Sequence, residues 1–388
     1  MLSNLANLIQ PFHVMELVKQ ADLLAQQGHP VIHLSIGEPD FALPEPVLQA
    51  HFKALRDGKT RYTAALGLPE LRAAVAEHYR TSFGVVVPQE QVVITAGGSA
   101  ALLYACLSMV NPGQGILLTD PGYPCNKTFV QVAGGTPQFV AVDEKHNFQP
   151  TWDDLEDAWQ ANTAGALLAS PSNPTGTQIP ESAMRKIVDG MAGRRGVLMV
   201  DEIYQSLCYD SPPRSVLQIT GAPLPGQSVV VINSFSKYFG LTGLRLGWMV
   251  VPPQMVAPIE RFAQNLSICP SAPAQWAALA CFEPETLAMC EARRQEFKRR
   301  RDYMLTALPK AGIDVHSRPD GAFYLYTRAP YNSDHYCKDL LNTSWVCTVP
   351  GKDFSSTEGD QMMRWSYANS LDKLEEAMHR LHRFNSRL

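Results

Sequence analysis

Between residues 92 and 251 the chain repeats one unit: a short apolar run, a turn-rich segment, and usually an interval long enough for a helix. The runs fall at 92–95, 116–119, 139–142, 166–169, 197–200, 229–232 and 248–251. Continuous apolar runs of this length belong to strands covered on both faces. Strands alternating with helical intervals build a parallel sheet, because a parallel neighbour is reached through a crossover. The interval between Ile232 and Trp248 carries no convincing helical pattern. A strand entered without a crossover helix is expected antiparallel to its neighbour. The expectation is an α/β core: a mixed, mostly parallel seven-stranded sheet between helices.

The flanks follow other patterns. Residues 11–27 carry helical spacing through Val14, Leu17, Val18, Ala21, Leu24 and Ala25, with Pro11 opening the helix and Gly28 stopping it. After about residue 285 a charged helical run reaches Leu308. Strands are expected within 321–326 and 363–367, and a closing helix through Leu371, Leu374, Ala377 and Leu381. At 388 residues the chain exceeds one small core. The division expected is a large domain of 46–284 and a smaller α+β domain of 285–388 with segment 1–45 packed on it. The basic run ending Lys298-Arg299-Arg300-Arg301 is interleaved with Glu296 and reads as the solvated face of a helix.

Lysine and arginine total 33 against 37 acidic residues, a balance that argues against a nucleic-acid binder. The eight cysteines include no CxxC pair and several lie in apolar stretches, so they read as reduced core residues, not metal ligands or disulfides. The first basic residue is Lys19, unlike the start of a signal peptide, and no apolar run approaches the ~20 residues that span a bilayer. A cytoplasmic protein, bound to neither membrane nor nucleic acid, is expected.

Chemistry gathers where the apolar runs end, which in open α/β sheets is where ligands bind. After run 229–232 comes Asn233-Ser234-Phe235-Ser236-Lys237-Tyr238, with Arg245 eight residues beyond the lysine. An amine can condense with an aldehyde, and the Ser234 hydroxyl and Arg245 guanidinium can hold a phosphate on the same molecule. Pyridoxal phosphate carries both groups. The glycine turn Gly97-Gly98-Ser99-Ala100 follows run 92–95 and opens a helix, where free N–H groups and the dipole favour an anion. Asp201 ends run 197–200 and Tyr204 follows by three. A carboxylate there can keep a pyridine nitrogen protonated, although an aspartate capping a helix is the ordinary reading. Asn173 lies in Ser170-Pro171-Ser172-Asn173-Pro174-Thr175-Gly176 and Tyr123 in Asp120-Pro121-Gly122-Tyr123, both of which also read as turns.

Taken in order, these segments resemble the fold type I, pyridoxal phosphate-dependent class I/II aminotransferases, aspartate aminotransferase-like, over nearly the whole chain. The similarity runs from Ser35-Ile36-Gly37-Glu38-Pro39 past Arg364. The resemblance implies that Lys237 holds the cofactor and later moves a proton. Gly98, Ser99, Ala100, Ser234 and Arg245 would bind its phosphate, and Asp201 would pair the ring nitrogen. Tyr204 and Asn173 would reach the ring oxygen, and Tyr123 would stack on the ring. Arg364 would grip the substrate α-carboxylate, helped by Gly37 and Asn173. The implied assembly is a homodimer in which Tyr62, and with it Ser271, approaches the neighbouring subunit's site.

The expected activity moves an amino group between an L-amino acid and a 2-oxo acid, with 2-oxoglutarate as acceptor, in a ping-pong sequence. A β-lyase acting on carbon–sulfur bonds shares the fold and the lysine and stays open as the alternative. A regulator built on this fold carries a DNA-binding domain first, and the stretch before Gly37 is too short for one. Some bacterial aspartate aminotransferases resembling this chain carry a lysine where Ser99 stands. Serine lacks the charge to help bind a distal carboxylate, so aspartate specificity is not implied.

Overall fold

The computed structural model describes residues 2–9 and 11–388. The chain opens with helices α1 (Asn4–Leu8) and α2 (His13–Gln26), the short strand β1 (Ile32–His33), and helices α3 (Glu45–Arg56) and α4 (Pro69–Phe83). Strand β2 (Val92–Thr95) leads into helix α5 (Gly98–Met109). Then follow β3 (Gly115–Asp120), β4 (Thr136–Ala141), β5 (Thr163–Ala169), β6 (Val197–Asp201), β7 (Val229–Ser234) and β8 (Gly247–Val250). A long helix, Pro284–Lys310, precedes β9 (Tyr324–Arg328), β10 (Val346–Cys347), β11 (Val349–Pro350) and β12 (Met362–Ser366), and a helix at Leu371–Asn385 closes the chain.

Strands β2 to β8 form one seven-stranded sheet in the order β2-β8-β7-β6-β5-β3-β4. All pairs are parallel except those of β8, which runs antiparallel to β2 and β7. The missing crossover before β8 has this consequence. Two antiparallel steps leave β2 pointing the same way as β7, so α5 starts at the edge where β3, β5, β6 and β7 end. Alternate residues of the inner strands face opposite cores. Val92, Val200 and Trp248 join one buried cluster, and Val93, Met199 and Met249 another. Strand β4 begins three residues before the apolar run that marks it. It is an edge strand paired only with β3, so its burial alternates and it tolerates Pro137.

Strands β11, β12 and β9 form an antiparallel three-stranded sheet, and β1 pairs parallel with β10. A third core gathers Leu17 and Leu34 with Phe297, Phe323, Trp365 and Leu374. Two expectations fail here for tertiary reasons. The helix expected from Pro11 starts at His13, because the Asp353 carboxylate accepts hydrogen bonds from the His13 and Val14 N–H groups at 3.0 and 2.7 Å. The basic run is not uniformly solvated. Arg301 is 1% exposed and pairs with Asp210 and Asp302 at 2.9 and 2.6 Å. Buried Arg300 pairs with Asp40 at 2.7 Å and Glu296 at 3.0 Å. Among the described residues no helix is long and apolar enough to cross a membrane, and no cluster of His, Cys, Asp or Glu could hold a metal. All eight cysteines are free thiols.

Candidate active site

The carboxyl ends of the parallel strands enclose two adjoining cavities, of 370 and 510 Å³, that share Lys237, Gly37 and Tyr123 in their walls. The smaller one is a cradle for an anion. It is lined by Gly98 and Ser99 at the start of α5, by Ser234 ending β7, and by Arg245. The first N–H groups of a helix have no acceptor within it and carry the positive end of its dipole. Gly97 has φ +85°, and a Cβ there would lie 2.6 Å from Arg245 Nη2, so the guanidinium is pressed against the turn. Arg245 itself sits at φ 53°, a left-handed conformation unusual for arginine, with Nη1 donating to the Thr242 carbonyl at 2.9 Å. Gly247 of β8 passes beneath. A Cβ there would fall 2.7 Å from the Gly98 nitrogen, so glycine is needed for this approach. Ala100 lies one residue further along α5 and packs on the core instead of lining the cavity.

The larger cavity joins Asp201, Tyr204, Asn173 and Arg364 to Lys237. Asp201 is 2% exposed, and one oxygen accepts from the Ile203 N–H at 3.1 Å. No helix opens there; a turn follows, so the capping reading fails. Burial raises its carboxyl to about 7, opposed by that hydrogen bond and by the charge of Lys237. A cation placed in the cavity beside it would restore the carboxylate. The Tyr204 and Tyr324 hydroxyls meet at 2.9 Å, and Tyr123 lines both cavities.

Lys237 donates to the Gly37 carbonyl at 2.6 Å. Its side chain borders both cavities. Burial lowers the amine from 10.5 to about 8, with Glu38 opposing and Arg364 and Arg245 reinforcing the shift. Arg364 lies on β12 opposite Tyr326, sharing a face with Tyr324. Its guanidinium stands 4.4 Å from the Tyr324 ring centre and 4.8 Å from that of Phe354. Nη1 donates to Asn173 Oδ1 at 2.9 Å and Nη2 to the Ser35 carbonyl at 2.6 Å, while buried Nε has no partner. No carboxylate among the described residues forms an ion pair with Arg364. Gly37 approaches so closely that a Cβ would lie 2.7 Å from the Tyr324 hydroxyl.

The anion cradle, a buried carboxylate, an amine of lowered basicity and a buried guanidinium fit the phosphate, ring nitrogen and aldehyde of pyridoxal phosphate and the carboxylate of a substrate. Tyr62 and Ser271 line neither cavity. Tyr62 is 83% exposed, and Ser271 is exposed at the start of the helix Ala272–Ala278. Sequence reasoning missed Tyr324, Phe354 and Asp353, and with them Phe12, Val14, Met15 and Val18, all of which line the larger cavity. Tyr324 showed only as part of an apolar strand, and the others carried no local signal.

A family model described as aminotransferase class I and II matches residues 29–381. The valine–pyruvate aminotransferase of Mycobacterium tuberculosis is 34% identical over 376 residues, 96% of each chain. The aspartate aminotransferase of Thermotoga maritima is 31% identical over 374 residues, again 96% of each chain. A solved aminotransferase from Mycobacterium tuberculosis superimposes with a TM-score of 0.95 at 32% identity, covering 100% of each chain.

Proposed function

The chain belongs to the class I and II aminotransferases, and from that premise we propose that it transfers an amino group from an L-amino acid to a 2-oxo acid in two half-reactions at one site. The family's cofactor is pyridoxal 5′-phosphate, which when bound supplies a carrier for the amino group and an electron sink for the substrate Cα. Arg364 is the observation that carries the reading. It is a buried guanidinium with an unpartnered Nε and, among the described residues, no carboxylate partner, and it lines the cavity that also holds Lys237. Its planar fork suits the α-carboxylate of either substrate.

Each remaining group has a share. Lys237 Nζ would anchor the cofactor, and the same amine would take the substrate Cα proton and return one. An amine near 8 has a useful neutral fraction close to neutral pH. Asp201 would keep the proton on the ring nitrogen. Tyr204 and Asn173 would serve the ring oxygen, and Tyr123 would pack against the ring. Gly98, Ser99, Ala100, Ser234 and Arg245 would hold the phosphate, with Ala100 offering only its backbone. Gly37 helps seat the substrate.

The assembly we propose is a homodimer, supported by the exposed Tyr62, which would reach the neighbouring site. The proposed domains are 46–284 against 1–45 with 285–388, supported by the core that joins Leu17 and Leu34 to Phe297 and Trp365. Eight free thiols support a cytoplasmic location. The acceptor expected from the sequence, 2-oxoglutarate, is the one against which others should be ranked. Holoenzyme given a donor alone should release one equivalent of 2-oxo acid per site and then stop until an oxo acid is added. Continuous release of pyruvate and ammonia without an acceptor would mark a lyase and overturn the reading.

A further inference from the structure

The larger cavity has a wall that the steps above do not use. Phe12, Val14, Met15 and Val18 of the α2 segment, with Ile36, line it together with Arg364 and Lys237. Among the described residues, those two are the only lysine or arginine side chains lining it. The other charged residues of its lining are acidic: Asp201, Glu38, and Asp353, whose carboxylate holds the start of α2 in place at His13 and Val14. Lys127 and Lys352 line a separate cavity of 60 Å³, and Lys352 is already paired with Asp334 at 2.8 Å.

A substrate held by its α-carboxylate at Arg364 and its reacting carbon near Lys237 directs its side chain into the rest of this cavity. We infer that the α2 wall selects amino acids with uncharged, apolar side chains against dicarboxylic ones, and that monocarboxylic 2-oxo acids are the better acceptors. The inference rests on the transamination reading. A distal carboxylate entering here would lose water without gaining a cation from this protomer's wall, and would face Glu38 and Asp353. An apolar side chain gains burial against Val14, Met15 and Ile36. The same compartment serves both half-reactions, so 2-oxoglutarate meets the same obstacle as glutamate.

The test compares kcat/KM of assembled holoenzyme for leucine, methionine and phenylalanine with that for aspartate and glutamate, using pyruvate and then 2-oxoglutarate as acceptor. The best apolar donor should exceed both dicarboxylic donors by at least about tenfold, the scale on which a pocket discriminates side chains. Pyruvate should be the better acceptor. Aspartate or glutamate within about tenfold of the best apolar donor overturns the inference while leaving transamination intact. Turnover with no amino acid at all overturns the transamination reading instead. Met15→Arg, at a position 59% exposed and tolerant of a longer chain, places a cation in the wall. It should raise the aspartate-to-leucine ratio of kcat/KM about tenfold; an unchanged ratio removes α2 from the specificity wall.

Discussion

Arg364 is held at 5% exposure by Asn173, the Ser35 carbonyl and two aromatic rings, with no carboxylate to neutralise it. Lysine at this position keeps the charge and loses the fork. Arg364→Lys should lower kcat/KM about 10- to 100-fold, the range for hydrogen bonds to a charged group, while cofactor affinity stays near normal. Equal loss of cofactor binding in a titration would assign Arg364 a structural role. Lys237 gives a second prediction that needs no cofactor. With its amine lowered to about 8, its modification in cofactor-free protein by an amine-acylating reagent should rise with pH around 8, not around the ordinary 10.5. The sign extends to stability. Between those two values the unfolded chain binds more protons at this residue than the folded one, so the lysine's contribution to stability rises with pH across that window. Denaturation of cofactor-free protein should show a rise that Lys237→Met lacks.

At the scale of elements, the strands were legible because β2, β5, β6, β7 and β8 are buried on both faces and so leave nearly unbroken apolar runs. Legibility fell where partners are distant in sequence. The start of α2 is set by Asp353, and Arg300 is buried by Asp40, neither of which has a local signature. The strand end at Asp201 could be read from the sequence, whereas the absence of a following helix could not. Strand β12 carries both Arg364 and Trp365, whose side chains leave opposite faces. Trp365 is fully buried, and its indole N–H donates to the Thr327 hydroxyl at 2.9 Å. Trp365→Ala should destabilise the protein by about 3–5 kcal/mol in denaturant unfolding, as large-to-small core changes do. It should also weaken substrate binding through Arg364. A loss below about 1 kcal/mol would mean that β12 is not anchored by this side.

Across the molecule, the site is assembled from segments as far apart in the chain as Gly37 and Arg364, joined by contacts such as Lys237 to Gly37 at 2.6 Å and Arg364 to Asn173 at 2.9 Å. The sequence revealed most of the polar residues because each follows a strand of the large sheet, whose topology gathers strand ends at one edge. It did not reveal the apolar wall, since Phe12, Val14, Met15 and Val18 look like an ordinary helix face until tertiary structure turns them toward the cavity. All of the proposed chemistry depends on Lys237 as the covalent anchor. Borohydride reduction of the holoenzyme, followed by digestion and mass analysis, tests this most directly. The account predicts a stable pyridoxyl label confined to the peptide that carries Lys237; a label on any other lysine, or none with cofactor bound, would contradict it.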